Sequence, residues 1–276
     1  MWNIEFISQE DFDKHVENTI NEYTKALNKP MDLDEFNKNT IDPIKFIFDK
    51  AVYNMDWDEL INREILRQRD KTVTNSIGYF HQKIFQYMHR NGCEIVMPKN
   101  GEAVFVECGG QKGWDVVFQN DGRIAIDDNV TVKRVYAEIK NKHNTMNSNS
   151  AAATFQKMTG QIGADGDCAC FLVEAIAKKS QNVPWAAKGT ATNSRIRRVS
   201  LDEFYGVITG DSCGFLKICL ALPKAIERVL GKNKGLAPLN NTIYDELRKQ
   251  SGPRSDDPIA MAMYMLGFGT YTGFKK

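Results

Sequence analysis

The chain has 276 residues, 42% of them hydrophobic and 10% aromatic, enough to enclose a substantial core and too apolar for a disordered protein. Its 36 basic and 35 acidic residues leave a formal net charge of +1, so an acidic partner such as DNA must be met by a local patch rather than by global attraction. The six cysteines show no CxxC spacing, the N-terminus lacks the basic-then-apolar form of a signal peptide, and no apolar run approaches the ~20 residues of a membrane span, which together predict a reduced, cytoplasmic protein. Cys168 and Cys170, the closest pair, share one strand face among apolar neighbours and read as buried thiols rather than half of a zinc site.

In chain order, the first third reads as helical. Ser8 with Asp11 resembles an N-cap, and Phe12, Val16, Ile20, Tyr23 and Leu27 follow at spacings of three and four. A second helix begins at Asp42-Pro43 and carries Ile44, Ile47, Phe48 and Val52. Asp56 caps a third through Leu60, Ile61 and Leu66, and "NSIGYFHQKIFQYMHRNG" makes a fourth, closed by Asn91-Gly92. From Glu94 the period changes to two: "EIVMP", "AVFVE", "WDVVFQ", "RIAID" and "TVKRVYAEIK" are short, β-branched and separated by turn signals, with Asn120-Asp121-Gly122 as a hairpin turn. A helix over about 150–160, the buried strand "CACFLVEAI", a polar loop, and "RIRRVSLDEFYGVITG", a strand entering a helix capped by Ser200, come next, followed by further helices. The expected fold is α/β, with a central mixed β-sheet (an antiparallel meander plus an added strand) flanked by helices. The expected organisation is an N-terminal helical region, 1–70, packed on a core with C-terminal helices, 71–276, as one compact unit.

Within "YAEIKNKHNT", Glu138 and Lys140 stand two apart on a strand patterned for burial, so both point to one face while Ile139 points to the other. Burial of such a pair costs free energy unless something compensates it. Asp115 opens an earlier strand of the same meander, so neighbouring strands can bring its carboxylate beside Glu138. Two carboxylates, waters and a phosphate oxygen complete the octahedral shell that Mg²⁺ requires. A lysine beside them can orient or help deprotonate an attacking water; arginine is the poorer base, because its pKa stays far above neutrality. This set of residue types suits phosphodiester hydrolysis. The pattern alone also fits Glu138 and Lys140 on the solvated face of an edge strand, while Asp121, Asp127 and Asp128, in or beside turns, read as turn formers.

"GWDVVF" followed by "YAEIKNKHNTMNSNSAAATFQKM" resembles the PD-(D/E)XK nucleases, and within them a subgroup of type II restriction endonucleases that cut GGNCC. "SIGYFHQKIFQ" before the meander and "SLDEFYGVITGD" after it also resemble segments of that subgroup, so the likeness runs from about residue 73 to 215. Gly-Trp rather than Pro precedes Asp115, at a position that varies widely in the superfamily. The resemblance implies a restriction-endonuclease-like core with N- and C-terminal helical additions, and catalytic Asp115, Glu138 and Lys140, the first two holding Mg²⁺. It further implies Gln82 as an accessory polar group from the preceding helix, double-stranded DNA as substrate, and a companion methyltransferase acting on the same site. A target symmetric about its central base calls for a homodimer.

Lys142, His143 and Asn144, leaving the catalytic strand, are expected at the DNA backbone, and Gln156 with Lys157 on the next helix faces the same way. For base reading, "AAKGTATNSRIRR" offers Lys188, Arg195, Arg197 and Arg198, since Arg or Lys on guanine O6 and N7 is the commonest specific contact; Arg254 in "GPRSDDP" is a rival. His81 reads as an interior histidine and His89 as exposed near a helix end. Two other readings remain at this point: a structure-directed or repair nuclease of the same fold, and a catalytically silent DNA-binding module.

Overall fold

The computed structural model describes residues 2–39, 41–88, 93–95, 113–142, 146–231, 242–251 and 257–267, with only the backbone described at 93–95, 120–122, 142, 251 and 267. The "AVFVE" strand, the Asn91-Gly92 helix stop, His89, His143, Asn144, Arg254 and the side chain of Lys142 lie outside the described residues. The chain divides into two compact units, Met1–Ile20 with Ile77–Lys234, and Asn21–Ser76 with Gly235–Lys276. A single boundary near residue 70 is therefore replaced by an interleaved division. The first twenty residues belong with the sheet, because Phe12 and Val16 share its core; the C-terminal helices belong with the helices of 21–76, because Ile243, Leu247 and Met263 share theirs.

The second unit is helical. α2 (Leu33–Asn37) and α3 (Pro43–Tyr53) are both capped by aspartates, Asp32 accepting from Glu35 N–H and Asp42 from Ile44 and Lys45 N–H, with Pro43 in the first turn of α3 as expected. α8 (Ile243–Ser251) and α9 (Pro258–Gly267) complete it. The two helices expected over 56–91 are one continuous α4 (Trp57–Lys83), running into a short 3₁₀ turn at Ile84–Tyr87. The polar stretch "RQRDKTVTNS" between their apolar stripes contains neither Gly nor Pro, so nothing in it breaks a helix. α1 (Gln9–Asn28) starts where Ser8 accepts the Asp11 N–H at 3.0 Å.

The first unit is built on a six-stranded mixed sheet in the order β1-β2-β3-β4-β6-β5. β1 (Cys93–Ile95), β2 (Val116–Ala125) and β3 (Thr131–Lys142) are antiparallel neighbours; β4 (Cys168–Ile176) and β6 (Asn193–Ser200) extend the sheet in parallel; β5 (Asn182–Trp185) closes the edge antiparallel to β6. The expected meander plus added strand is thus present. Its turn is displaced: "WDVVFQ" and "RIAID" are not joined by a hairpin at Asn120-Asp121-Gly122 but belong to one strand, whose pairing with β3 shifts register between Gln119 and Ile124. Arg123 occupies the left-handed region there, φ 75°, and its guanidinium bonds Thr131 and Asp167. These bonds fasten a bulge rather than a turn. The true β2–β3 turn follows at Asp127, whose carboxylate accepts the N–H groups of Asn129 and Val130, each at 2.8 Å.

Two layers cover this sheet. On one face Val116, Phe118, Val135, Ala137, Ile139, Phe171 and Val173 pack with α1, the end of α4, α6 (Leu201–Thr209) and α7 (Gly214–Leu230). On the other, Val117, Tyr136, Cys168, Cys170 and Leu172 pack under α5 (Ser148–Ala164), which crosses back from β3 to the parallel β4. Cys168 and Cys170 are buried free thiols, as expected. Among the described residues no single helix is long and apolar enough to cross a membrane.

Candidate active site

Strand alternation decides where the charges of β3 go. Ala137 and Ile139 enter the α1/α6 core, so Glu138 and Lys140 must emerge on the α5 side of the sheet. Asp115 arrives from β2. Its N–H donates to the Ala137 carbonyl at 3.0 Å and Val116 pairs with Ala137, so one step further along the ladder Asp115 stands beside Glu138. The Asp115 Oδ2 accepts the Ile139 N–H at 2.7 Å, which ties that carboxylate to the backbone between Glu138 and Lys140. The three residues singled out in the sequence are thus brought together by two neighbouring strands.

Both oxygens of Glu138 are held by ammonium groups. Lys140 Nζ lies 2.6 Å from Oε1, and Lys157 Nζ, from α5, lies 2.9 Å from Oε2. Lys157 has two further anchors: it donates to the Gly113 carbonyl, and its Nζ sits 4.1 Å from the centre of the Trp114 ring. Gly113 takes φ 74°, a conformation that a side chain would strain, and so delivers its carbonyl to the lysine. Trp114 is fixed in turn by its Nε1–H donating to Gln161 Oε1 at 3.2 Å.

Burial pushes Asp115 above the usual carboxylate range; the Ile139 N–H opposes this, and the charge of Glu138 pushes it higher still. For Glu138, burial also pushes upward, yet Lys140 and Lys157 outweigh it and hold the carboxyl below its ordinary value. Glu138 is thus compensated directly by two ammoniums, while Asp115 is held by the Ile139 N–H and feels Lys140 and Lys157 only through space. Among the described residues no group of three or more His, Cys, Asp or Glu could hold a metal ion. An ion here would take two carboxylates and fill its shell with waters and substrate oxygens, which suits a hard, oxygen-seeking divalent cation and not zinc.

The other expected site residues are placed as follows. Gln82, on α4, donates to the Ile139 carbonyl at 3.4 Å, a long bond that nonetheless brings it to the backbone between Glu138 and Lys140. Half-buried His81 is pushed below its ordinary pKa by burial. Gln156 and Lys188 are exposed. Arg195 donates to the Gly166 carbonyl at 2.5 Å, and Arg198 pairs with the buried Glu174 on β4. Arg197 cannot read bases: its side chain is 4% exposed, and its three nitrogens are taken by Asp127, Asn182 and the Ser194 carbonyl. The "RIRR" run puts Arg197 on the covered face of β6, where it locks the β2–β3 turn to β5.

The chief omission at the level of sequence is the partnership of Lys157 with Glu138. A signal exists: α5 buries Thr154, Phe155, Met158, Gln161 and Ile162, and Lys157 lies one turn from both Thr154 and Gln161 on that inward side. A lysine beside an inward stripe, on the helix that recrosses the strand bearing ExK, points back at the carboxylate rather than out at DNA.

A six-stranded mixed sheet flanked by helices, with Asp115 and Glu138 on neighbouring strands and Lys140 two residues further on, is consistent with the restriction-endonuclease-like fold. The comparisons agree. The model of the Eco47II restriction endonuclease family matches residues 4–231. The chain is 29% identical over 259 residues to the type II restriction enzyme Sau96I of Staphylococcus aureus, covering 90% of this chain and 89% of that protein. It is 28% identical over 246 residues to the type II restriction enzyme Eco47II of Escherichia coli, covering 84% of this chain and 90% of that protein. The chain belongs to the Eco47II restriction endonuclease family, and with it to the type II site-specific deoxyribonucleases, for which divalent-metal dependence is typical.

Proposed function

We propose that this chain is a Mg²⁺-dependent type II restriction endonuclease that cuts double-stranded DNA at GGNCC. The observation that carries the reading is the convergence of Asp115, Glu138 and Lys140 where the start of β2 meets the later half of β3, with Asp115 held to the Ile139 N–H and Glu138 held by two lysines. The target sequence rests on the Staphylococcus relative, which recognises GGNCC.

Asp115 and Glu138 would hold the ion. When bound, Mg²⁺ supplies Lewis acidity toward a phosphate oxygen and lowers the pKa of a water. The chain's own groups do the positioning. The Ile139 N–H sets the Asp115 carboxylate, and Lys157 steadies one oxygen of Glu138. Lys140, the more exposed of the two lysines, can leave Glu138 to meet a phosphate oxygen and orient the attacking water. In-line attack on phosphorus leaves a 5′-phosphate.

GGNCC is symmetric about its central base, so a homodimer would put one such centre on each strand. On α3, Ile44, Phe48 and Val52 recur every fourth residue and are all exposed, an apolar stripe of the kind a second copy covers. Lys142, His143, Asn144, Gln156 and Lys188 are the DNA contacts to test, with Arg195 and Arg198 partly committed to internal bonds. An enzyme with this activity needs a methyltransferase that protects the same sites in its host, and it would act in the cytoplasm. The test is digestion of an unmethylated plasmid of known sequence with Mg²⁺, beside an EDTA control. Discrete fragments mapping to GGNCC support the proposal; a smear indicates a structure-directed nuclease, and intact DNA that shifts on a gel indicates a binding module.

A further inference from the structure

Charge at the site balances without any ion. Asp115 and Glu138 contribute two negative charges, Lys140 and Lys157 two positive ones, and the four groups touch or adjoin one another. A divalent ion entering this set would bring two uncompensated positive charges into a partly buried space, close to two ammoniums. One ammonium can retire. Lys140 is 32% exposed and has a mobile stem on a strand end, so it can turn toward solvent or a phosphate. Lys157 is 12% exposed and pinned at three points, by Glu138 Oε2, the Gly113 carbonyl and the face of Trp114. It cannot withdraw without stranding a carbonyl and vacating the indole.

We propose that Lys157 is a built-in counter-ion of the active centre that opposes the metal until a DNA phosphate arrives, so that divalent-metal binding is coupled to DNA binding. The inference rests on the reading of Asp115 and Glu138 as the metal ligands. Phosphate restores neutrality: each oxyanion entering the site offsets the charge that metal and Lys157 hold in excess. By linkage, the factor by which DNA tightens the metal equals the factor by which the metal tightens DNA. Free protein would then carry little metal, and the chemistry the metal supplies would be available only where a DNA backbone lies against Asp115 and Glu138. Lys157 is a positioning residue in this account; it reaches the chemistry through Glu138.

The test is calorimetric titration of Ca²⁺ into the full chain, with and without a GGNCC duplex that gel analysis shows to remain uncut. Wild type is expected to bind Ca²⁺ about 100-fold more tightly with DNA than without. Lys157→Met is expected to bind Ca²⁺ about tenfold more tightly than wild type in the absence of DNA, and to show a correspondingly smaller effect of DNA. Lys157→Arg, which keeps the charge, is expected to keep the coupling. A lysine that merely supported the fold would give the opposite sign, weaker metal binding in Lys157→Met, and that result overturns the inference. So does equal Ca²⁺ affinity of wild type with and without DNA, a measurement available even if Lys157→Met does not fold. Glu138→Gln separates the two claims: if Ca²⁺ binding in the DNA complex survives it, the ligand assignment itself has failed; if binding is lost while Lys157→Met leaves free-protein affinity unchanged, only the role of Lys157 has.

Discussion

Glu138 on β3 and Glu174 on β4 lie on the same face of the sheet, with Lys140 and Glu174 in register across the two strands, yet they are opposite kinds of buried carboxylate. Glu138 is 16% exposed and is held by two lysines, each a compact charge on a flexible stem. Glu174 is 3% exposed, and one of its oxygens is gripped by the Nε and Nη2 of Arg198 from β6. A guanidinium fork makes a permanent structural pair, because it cannot lose its proton and its geometry is preset. Of the two lysines on Glu138, Lys140 makes an exchangeable pair, whereas Lys157 is itself pinned by the Gly113 carbonyl and the Trp114 ring. What separates the two carboxylates is therefore not burial, which favours Glu174, but one partner, Lys140, that can turn away.

The largest effect that sharpens this contrast is on cleavage. Glu138→Gln is expected to lower the single-turnover rate by about 10³-fold or more while the melting temperature stays near wild type, since Lys140 can turn to solvent and Lys157 keeps the Gly113 carbonyl and the Trp114 face as partners. Glu174→Gln should do the reverse. It leaves Arg198 paired with a neutral amide beneath α5, and chemical denaturation should show a loss of about 2 kcal/mol with site-specific cleavage retained in the folded fraction. Equal effects of the two substitutions on rate would erase the distinction.

A buried histidine extends the same rule to a group with no ionic partner. His15 is buried against Phe80, with Nε2 at 3.0 Å from the Phe80 carbonyl; burial pushes its pKa down to about 4, against the pull of that carbonyl and with help from Lys83 and His81. The folded protein thus refuses a proton that the unfolded chain accepts near pH 6.5. Its contribution is fully present above that value and falls away as pH drops from about 6.5 toward 4, by up to about 3 kcal/mol. Denaturation midpoints should fall more steeply for wild type than for His15→Phe as pH drops from about 6.5 toward 4, and parallel curves would contradict the burial argument.

Much of the sheet was legible because short β-branched and apolar runs are a local signal: β2, β3 and β4 feed apolar side chains to both faces, Val116, Ala137 and Phe171 to one and Val117, Tyr136 and Cys170 to the other. The turn at Asn120-Asp121-Gly122 misled, since the same residues serve a bulge when Arg123 is anchored by Thr131 and Asp167, and Asp167 lies 44 residues away. β5 was hidden because Pro184 argues against a strand, yet on a sheet edge a missing N–H costs no ladder bond. Arg197 and Lys157 share a cause. Both are cations whose partners come from other elements, Asp127 and Glu138, and composition alone assigns such residues to the surface or to DNA. Asp115, Glu138 and Lys140 could be singled out together from motif and resemblance, whereas the pairing of Lys157 with Glu138 appears only when α5 is laid over β3.

The most direct test of the central claim is the single-turnover cleavage rate of a GGNCC duplex by Lys140→Ala, at saturating Mg²⁺ and with binding measured in parallel. Loss of about 10³-fold or more in rate, with the duplex still bound site-specifically, is the predicted result. Cleavage within a few-fold of wild type would show that the chemistry runs elsewhere and that Glu138 and Lys140 are a surface ion pair.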